Sequence, residues 1–339
     1  MQFEYTAPQT PVEEFFGGFY CVNAFGPIEI GDDEKFVEFL QNAEVPPRTS
    51  LYIDSTGGDV DTALSIGRIV RDRWFSTHIG QYVLDHDQES ELLKKRKRTD
   101  GSCMSAATLV FLGGRLRYHE GGSRFGVRQF SFRNPSPEHI ARSQILSAKI
   151  ARFVTDMGVP ASFLELASAT PSNNIKVLSI DELTQHGVIT GGETPVTWTI
   201  QAVPGGMYVR GERDNLFGHH KMLLCFNKEE GFIAYAVIES LGREQELTTF
   251  PLVELVLETD NSDESVVDIS DRCVRTIRGI YTNISASITH VEASAIAKSE
   301  GFGIRVRAGD DAPLFLGIGP MKVGDGRNLI ETFVSCLTR

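Results

Sequence analysis

The sequence predicts an α/β domain with a mostly parallel sheet, followed by a second, β-rich domain built as a sandwich or a barrel-like sheet. Strand and helix signals alternate over the first half of the chain. From residue 196 to about residue 288 the signals are those of successive strands. The chain has 339 residues, more than one average domain holds. The change near residues 191–192 therefore predicts domains at residues 1–192 and 193–339.

Composition and charge limit the partners. The chain is 41% apolar and 23% charged, as in a globular protein with a sizeable core, and its formal charge of −12 disfavours nucleic acid and anionic membranes. The N-terminus lacks the pattern of a signal peptide, and no apolar run approaches the roughly 18 residues of a membrane span. The five scattered cysteines indicate reduced, mostly core thiols. We therefore expect a cytoplasmic protein without a metal or cofactor.

The elements of the first domain alternate in order. Strands are predicted at residues 18–22, 51–54, 76–80 and 123–132, and helices at residues 32–41, 60–73, 105–112, 136–157 and 179–187. The helix from Ser136 has a capping serine followed by proline, and Ser179 with Glu182 matches a capping box. The polar residues 85–100 read as an inserted loop, and their basic run at 94–98 as a solvated part of it.

The second domain is predicted from strand signals and two helices. The strands are expected at residues 197–200, 207–210, 222–226 and 232–237, and the helices at residues 291–299 and 327–337. His219 and His220 are the only adjacent histidines in the chain. A metal site needs more ligands at defined spacing, so we expect this pair to lie in a hairpin turn.

Two short stretches carry the main functional signal. Residues 54–60 (DSTGGDV) close a buried-type strand, and residues 101–107 (GSCMSAA) precede an apolar run. The paired Gly57 and Gly58 offer bare backbone N–H groups, and a serine opening a helix lies in a positive field. If the fold brings the stretches together, Ser105 becomes a nucleophile facing an oxyanion hole.

The order of elements from Phe19 to about Thr190 resembles the Clp protease proteolytic subunit and the wider crotonase-like superfamily. The matching stretches are residues 51–60, the helix that Ser105 opens, residues 123–129, the long helix from Ser136 and residues 178–189. The resemblance implies the β-α-β spiral fold of that family and a ring-forming homo-oligomer. It also implies that Ser105 holds the nucleophile position, with the oxyanion hole at Gly57 or Gly58 and Ala106. The C-terminal domain resembles no family that we recognise.

Two further positions depart from the pattern that the resemblance implies. The family's histidine position is occupied by Arg128, and its acid falls near residues 169–171, where the chain has no carboxylate. A guanidinium has five donors and no acceptor, so it cannot serve as a general base. Serine without a proton acceptor is a poor nucleophile. We therefore expect a serine peptidase homologue with an incomplete triad, weakly active or silent, that acts as an oligomeric scaffold.

The alternative is an active serine hydrolase in which Ser105 uses a non-standard base and acts on a polypeptide. The candidate bases are His78, His86, His119, Lys94, Lys95 and Lys97. Cys103 lies two residues before Ser105 and reads as a buried thiol rather than a substitute nucleophile. A third reading retains the oxyanion hole for a thioester enolate, as in crotonase relatives. It lacks a carboxylate beside the hole and any sign of a coenzyme A pocket.

Overall fold

A computed structural model divides the chain into two compact units, unit 1 at Met1–Gly191 and unit 2 at Gly192–Arg339. The structure describes residues 1–16, 19–85, 92–130 and 137–337, without the side chains of residues 16 and 137–141. Each unit has its own cluster of buried apolar residues. Of the helices in these ranges, none is long and apolar enough to cross a lipid bilayer.

Unit 1 alternates strands and helices over most of its length. Its strands are β1 (Gln2–Thr6), β2 (Cys21–Phe25), β3 (Ser50–Asp54), β4 (Ser76–Ile79), β5 (Gln81–Leu84), β6 (Arg96–Thr99), β7 (Ser102–Met104), β8 (Arg124–Val127) and β9 (Lys176–Leu178). Its helices are α1 (Pro11–Phe16), α2 (Asp32–Asn42), α3 (Val60–Asp72), α4 (Ala107–Leu112), α5 (Pro137–Asp156), α6 (Ser162–Ala169) and α7 (Ile180–Gln185).

The sheets of unit 1 bring the two functional stretches to one place. A four-stranded sheet has the order β1-β2-β3-β4, in which β2, β3 and β4 run parallel and β1 is antiparallel. A three-stranded sheet has the order β7-β8-β9, with β7 parallel to β8. Just beyond β3, Ser55 forms a parallel bridge with Cys103 in β7. The chain leaving β3 therefore runs beside β7, and the turns that follow both strands come together.

The helices after these strands follow from local sequence. Asp59 caps α3, because its side chain accepts a hydrogen bond of 2.9 Å from Thr62 N–H. Apolar residues at helical spacing, including Ile66 and Val70, are fully buried against the core. The capping box predicted for Ser179 and Glu182 is present at the start of α7.

The prediction of an inserted loop at residues 85–100 was wrong at residues 96–99, which form strand β6. Strand β6 pairs antiparallel with β5, so the two form a hairpin. Arg96 in β6 is buried, with its guanidinium 3.0 Å from Glu13 Oε1, and the two side chains are 3% and 0% exposed. The hydrogen bond from Arg96 lowers the pKa of Glu13 to about 2. The sequence showed no apolar periodicity here because the strand is anchored by an ion pair.

Other predictions in unit 1 need adjustment. Strand β2 begins at Cys21, later than predicted, and Gly18 lies outside the described residues. Strand β8 ends at Val127, so the predicted strand at residues 123–132 was too long. Ser136 also lies outside the described residues, and α5 is described from Pro137. Of the five cysteines, Cys21 and Cys103 are buried, Cys225 and Cys273 are half-buried and Cys336 is exposed, so the expectation of core thiols holds fully for two of them.

Unit 2 is built from antiparallel strands, three short α-helices and two single-turn 3-10 helices in its described part. Its strands are β10 (Thr197–Val203), β11 (Gly206–Asn215), β12 (Gly218–Asn227), β13 (Gly231–Glu239), β14 (Leu252–Glu258), β15 (Glu264–Asp268), β16 (Cys273–Arg278), β17 (Tyr281–Ile288), β18 (Gly301–Arg307) and β19 (Leu316–Lys322). Its helices are α8 (Glu244–Thr249), α9 (His290–Lys298) and α10 (Arg327–Leu337). The sheet orders are β10-β11-β12-β13-β17-β16 and β15-β14-β18-β19.

Two features of unit 2 differ from the sequence prediction. Helix α8 was missed, because it is six residues long and mostly polar. His219 and His220 lie in β12 rather than in a turn, and they are 9% and 3% exposed. Asp214 Oδ1 lies 2.9 Å from His219 Nδ1, and the Glu239 carboxylate accepts the His219 N–H. These carboxylates satisfy His219 from the neighbouring strands, so it tolerates burial at the end of the sheet.

Candidate active site

Ser105 lies in a tight turn between β7 and α4. Its φ angle is +54°, which is uncommon for a residue other than glycine and is often found at functional sites. Its N–H donates to the Gly126 carbonyl at 2.9 Å, and its carbonyl accepts from Thr108 Oγ1 at 2.6 Å. The helix begins at Ala107 with Ala106 as the residue before it, so Ser105 is not a helix cap. The expectation that Ser105 itself opens the helix was wrong by two residues.

The glycine turn after β3 packs directly against the Ser105 turn. Gly57 has a φ angle of +93°, which favours glycine. A Cβ atom on this glycine would lie 2.6 Å from Met104 O, 2.9 Å from Ala106 N and 3.0 Å from Ser105 Cβ. These contacts leave no room for a side chain. The fold thus brings together the two stretches that the sequence singled out.

The backbone amides of this region are not equivalent. The Gly57 N–H donates to Ser55 Oγ at 3.1 Å and is therefore occupied. The N–H groups of Gly58 and Ala106 donate to no acceptor in the part of the chain that the structure describes. The role of Ser55 was missed in the sequence. Its position two residues before Gly57 is typical of a serine turn and was the available signal.

Arg128 follows β8 and contacts Ser105 directly. Its Nε donates to Ser105 Oγ at 3.1 Å, and its Nη1 donates to the Ser172 carbonyl at 3.0 Å. The side chain is exposed, and no carboxylate among the described residues pairs with it. Nearby, the Thr170 carbonyl accepts from Gln129 N–H at 2.8 Å, so residues 169–171 run beside Arg128 without supplying an acid. The group in contact with the serine hydroxyl is therefore a donor.

Two of the histidines considered as bases, His78 and His119, lie elsewhere in unit 1. His78 stacks between Tyr52 and Tyr118, with ring centroids 4.6 Å and 4.7 Å away, and its Nδ1 is 3.5 Å from Glu120 Oε1. Burial lowers the pKa of both His78 and His119. Neither residue lines the cavity beside Ser105. His86 lies outside the described residues.

The lysines and Cys103 also fail to provide the missing chemistry. Lys97 lies in β6, Lys94 and Lys95 precede that strand, and none of the three lines the cavity beside Ser105. Cys103 is fully buried, and burial raises the pKa of its thiol well above the ordinary value. A buried thiol of this kind is chemically inert.

A cavity of about 440 Å³ lies beside Ser105 and Arg128. Helices α4, α5 and α6 form much of its wall, with apolar side chains that include Leu109, Ile150 and Phe163. Its described lining contains no histidine, lysine or carboxylate. Nor do the described residues hold any group of three or more histidine, cysteine, aspartate or glutamate side chains that could bind a metal. The volume is in the range of small-molecule sites.

Comparisons with known proteins give a likeness of fold only. No family model matches the chain, and no curated protein matches it. One similar solved structure is a mutant of ClpP1 from Listeria monocytogenes, with a TM-score of 0.35, 15% identity, and coverage of 49% of this chain and 86% of that chain. Another is a mutant of the 1510-N membrane-bound stomatin-specific protease, with a TM-score of 0.34, 17% identity, and coverage of 50% and 76%. The first carries the name of the family that the sequence resembles. At these TM-scores neither likeness bears on activity.

Proposed function

We propose that this chain is a catalytically silent serine-peptidase-like protein whose Ser105 site binds a ligand without cleaving it. The observation that carries the proposal is the hydrogen bond from Arg128 Nε to Ser105 Oγ. Attack by a serine hydroxyl requires an acceptor for its proton, and a guanidinium offers only donors. Loss of the base alone costs a serine hydrolase roughly 10⁴- to 10⁶-fold in rate.

A second candidate, an active serine hydrolase, has specific support in the same turn. Ser105 keeps a strained φ angle, and the amides of Gly58 and Ala106 stay unused within the described residues. Strain of this kind costs about 1–3 kcal/mol and persists at sites where it serves a function. In this case a base must come from a second copy of the chain or from residues outside those described.

Labelling with a fluorophosphonate probe, read by intact-protein mass spectrometry, separates the two candidates. We expect no adduct on the wild-type chain, because its serine has no base. An adduct that disappears in Ser105→Ala would establish the active hydrolase instead. Arg128→His places an imidazole at the acceptor position, and labelling gained by this variant would agree with a silenced site. Arg124→His is the matched control, since the Arg124 guanidinium contacts Ser102 Oγ rather than Ser105.

We also propose that the chain forms a homo-oligomer through unit 1. Support comes from apolar side chains at its surface: Ile145 on α5 is 60% exposed, Val177 on β9 is 48% exposed and Ile180 on α7 is 47% exposed. Contiguous apolar patches mark association surfaces, and we propose that these side chains belong to one such patch. Light scattering after gel filtration should give a mass that is a multiple of the 37.4 kDa chain. A monomer at all accessible concentrations would contradict this proposal.

For unit 2 we propose a β-sandwich. Buried residues of its six-stranded sheet, such as Val209 and Met222, belong to the same apolar cluster as Val253 and Phe302 of its four-stranded sheet. Two sheets that share one core in this way are typical of a sandwich. An experimental structure of unit 2 with its sheets closed into one barrel would contradict the proposal.

A further inference from the structure

We infer that the Ser105 site takes a monocarboxylate ligand with an apolar body. The carboxylate would be held by Arg128, Ser105 Oγ and the amides of Gly58 and Ala106, and the body would fill the adjoining cavity. The inference rests on the proposed function, because only a serine that does not react leaves these groups to serve as a binding site.

The Arg128 guanidinium has hydrogen-bond donors to spare. It carries five N–H donors, of which one bonds the Ser105 hydroxyl and one the Ser172 carbonyl. The protein has a formal charge of −12, and other arginines such as Arg98 and Arg305 pair with carboxylates. Arg128 pairs with none of the described carboxylates. A planar guanidinium with donors to spare suits a carboxylate, which it can bind through two parallel hydrogen bonds.

The Ser105 hydroxyl acts as a hydrogen-bond acceptor toward Arg128 rather than as a donor to a base. Because Ser105 Oγ accepts a hydrogen bond from Arg128, its own hydrogen is left to donate to a ligand oxygen. The amide of Ala106 is the next donor along the chain. A Cβ atom added to Gly57 would lie 2.9 Å from Ala106 N and 3.0 Å from Ser105 Cβ, so the glycine turn, which includes Gly58, packs against the same point. Several neutral donors and one cation at one place match a single anionic group.

The cavity beside Ser105 determines the size and polarity of the rest of the ligand. Its volume is about 440 Å³, and its lining includes Leu109, Phe130, Ile150 and Phe163. Arg128 is the only charged side chain in its described lining. A polyanion such as a nucleotide would leave charge uncompensated against apolar walls, which is costly. One carboxylate joined to an apolar chain satisfies both parts of the site.

Two sources share this chemistry, a fatty carboxylate and the carboxyl terminus of an apolar peptide. Calorimetric titration of the full chain at pH 7 distinguishes them, with decanoate as one probe and a short apolar peptide with a free carboxyl terminus as the other. Decanamide and the amidated peptide are the neutral controls. We expect at least one carboxylate to bind about tenfold or more tightly than its neutral control. No binding of either carboxylate, or equal binding of carboxylate and amide, would overturn the inference.

Three variants assign the binding to the site. Arg128→Gln should weaken carboxylate binding about ten- to a hundredfold, because it removes a charge-assisted hydrogen bond. Arg124→Gln, on the strand that precedes Arg128, is the matched control and should bind as the wild type does. Ser147 is an exposed residue in the cavity lining, so Ser147→Trp should fill the cavity without unfolding the chain, and should weaken binding. Equal affinity in Arg128→Gln and wild type would place the ligand elsewhere and refute the inference.

The inference and the proposed function fail in different experiments. Fluorophosphonate labelling of wild-type Ser105, together with hydrolysis of p-nitrophenyl decanoate, would refute the silent assignment whatever the titrations show. Absence of labelling combined with absence of carboxylate binding would refute only the ligand class.

Discussion

Replacement of Gly57 by alanine tests whether contact between the two turns shapes the site. The added Cβ would meet the Met104 carbonyl oxygen at 2.6 Å and the Ala106 nitrogen at 2.9 Å, both of them backbone atoms. A matched control exists in Gly26, which has a φ angle of +85° against +93° for Gly57, and where a Cβ would meet nothing within 4 Å. The two variants thus share the backbone cost and differ only in the steric contact.

The expected magnitudes follow from these two costs. Alanine at positive φ costs about 1–2 kcal/mol, which is the whole effect that we expect for Gly26→Ala. Forcing atoms into a closely packed site costs about a further 1–3 kcal/mol, since backbone cannot swing away as a side chain can. Gly57→Ala should therefore lower the free energy of unfolding by roughly 2–5 kcal/mol.

The assay is urea unfolding followed by tryptophan fluorescence. The chain has two tryptophans, Trp74 in unit 1 and Trp198 in unit 2, so all variants are compared in a Trp198→Phe background that reports unit 1. Equal destabilisation by Gly57→Ala and Gly26→Ala would show that the glycine turn does not press on the Ser105 turn, and the described geometry would be wrong.

Three further predictions concern unit 1 and the thiols. The pKa of Glu13 is lowered to about 2 by Arg96, so its stabilising contribution is full above about pH 4.5 and is lost as pH falls toward 2. In Glu13→Gln the midpoint of urea unfolding should therefore depend less on pH over that interval. A midpoint that falls with pH as steeply as in the wild type would contradict the pairing of Glu13 with Arg96. Arg117 is 3% exposed and donates hydrogen bonds to carbonyl groups of several segments. Arg117→Met should therefore lower the free energy of unfolding, measured with urea, by about 3 kcal/mol. A loss under about 0.5 kcal/mol would contradict the stabilising role of these hydrogen bonds. Iodoacetamide on the native chain should modify the exposed Cys336 and spare Cys103, and modification of Cys103 by mass spectrometry would contradict its burial.

The sequence could predict those helices and strands whose own residues carry a recognisable pattern, such as helical spacing of apolar residues or a capping box. Helices α3 and α10 carry apolar residues at helical spacing, and α7 opens with a capping box, so each can be located without knowledge of its neighbours. Strand β6 has no such pattern, because Arg96 is held by Glu13, which is 83 residues away in sequence. The burial of His219 likewise depends on carboxylates supplied by adjacent strands.

The candidate site shows the same division between local and distant causes. The sequence singles out the glycine turn and Ser105, but their approach depends on the bridge between Ser55 and Cys103, which joins two different sheets. That Arg128 offers no acceptor is a property of the residue type and needs no structure. Its contact with the Ser172 carbonyl, the occupation of the Gly57 amide by Ser55 and the cavity shared by α5 and α6 depend on tertiary packing.

An experimental structure of the assembled protein at neutral pH tests the central claim most directly. We expect the Arg128 guanidinium to be the only ionisable group within hydrogen-bond reach of Ser105 Oγ, at about 3.1 Å. An imidazole, amine or carboxylate within about 3.2 Å of that oxygen would contradict the account. The account would be contradicted equally if that group came from a second copy of the chain or from a side chain, such as that of His86, outside the part of the chain described above.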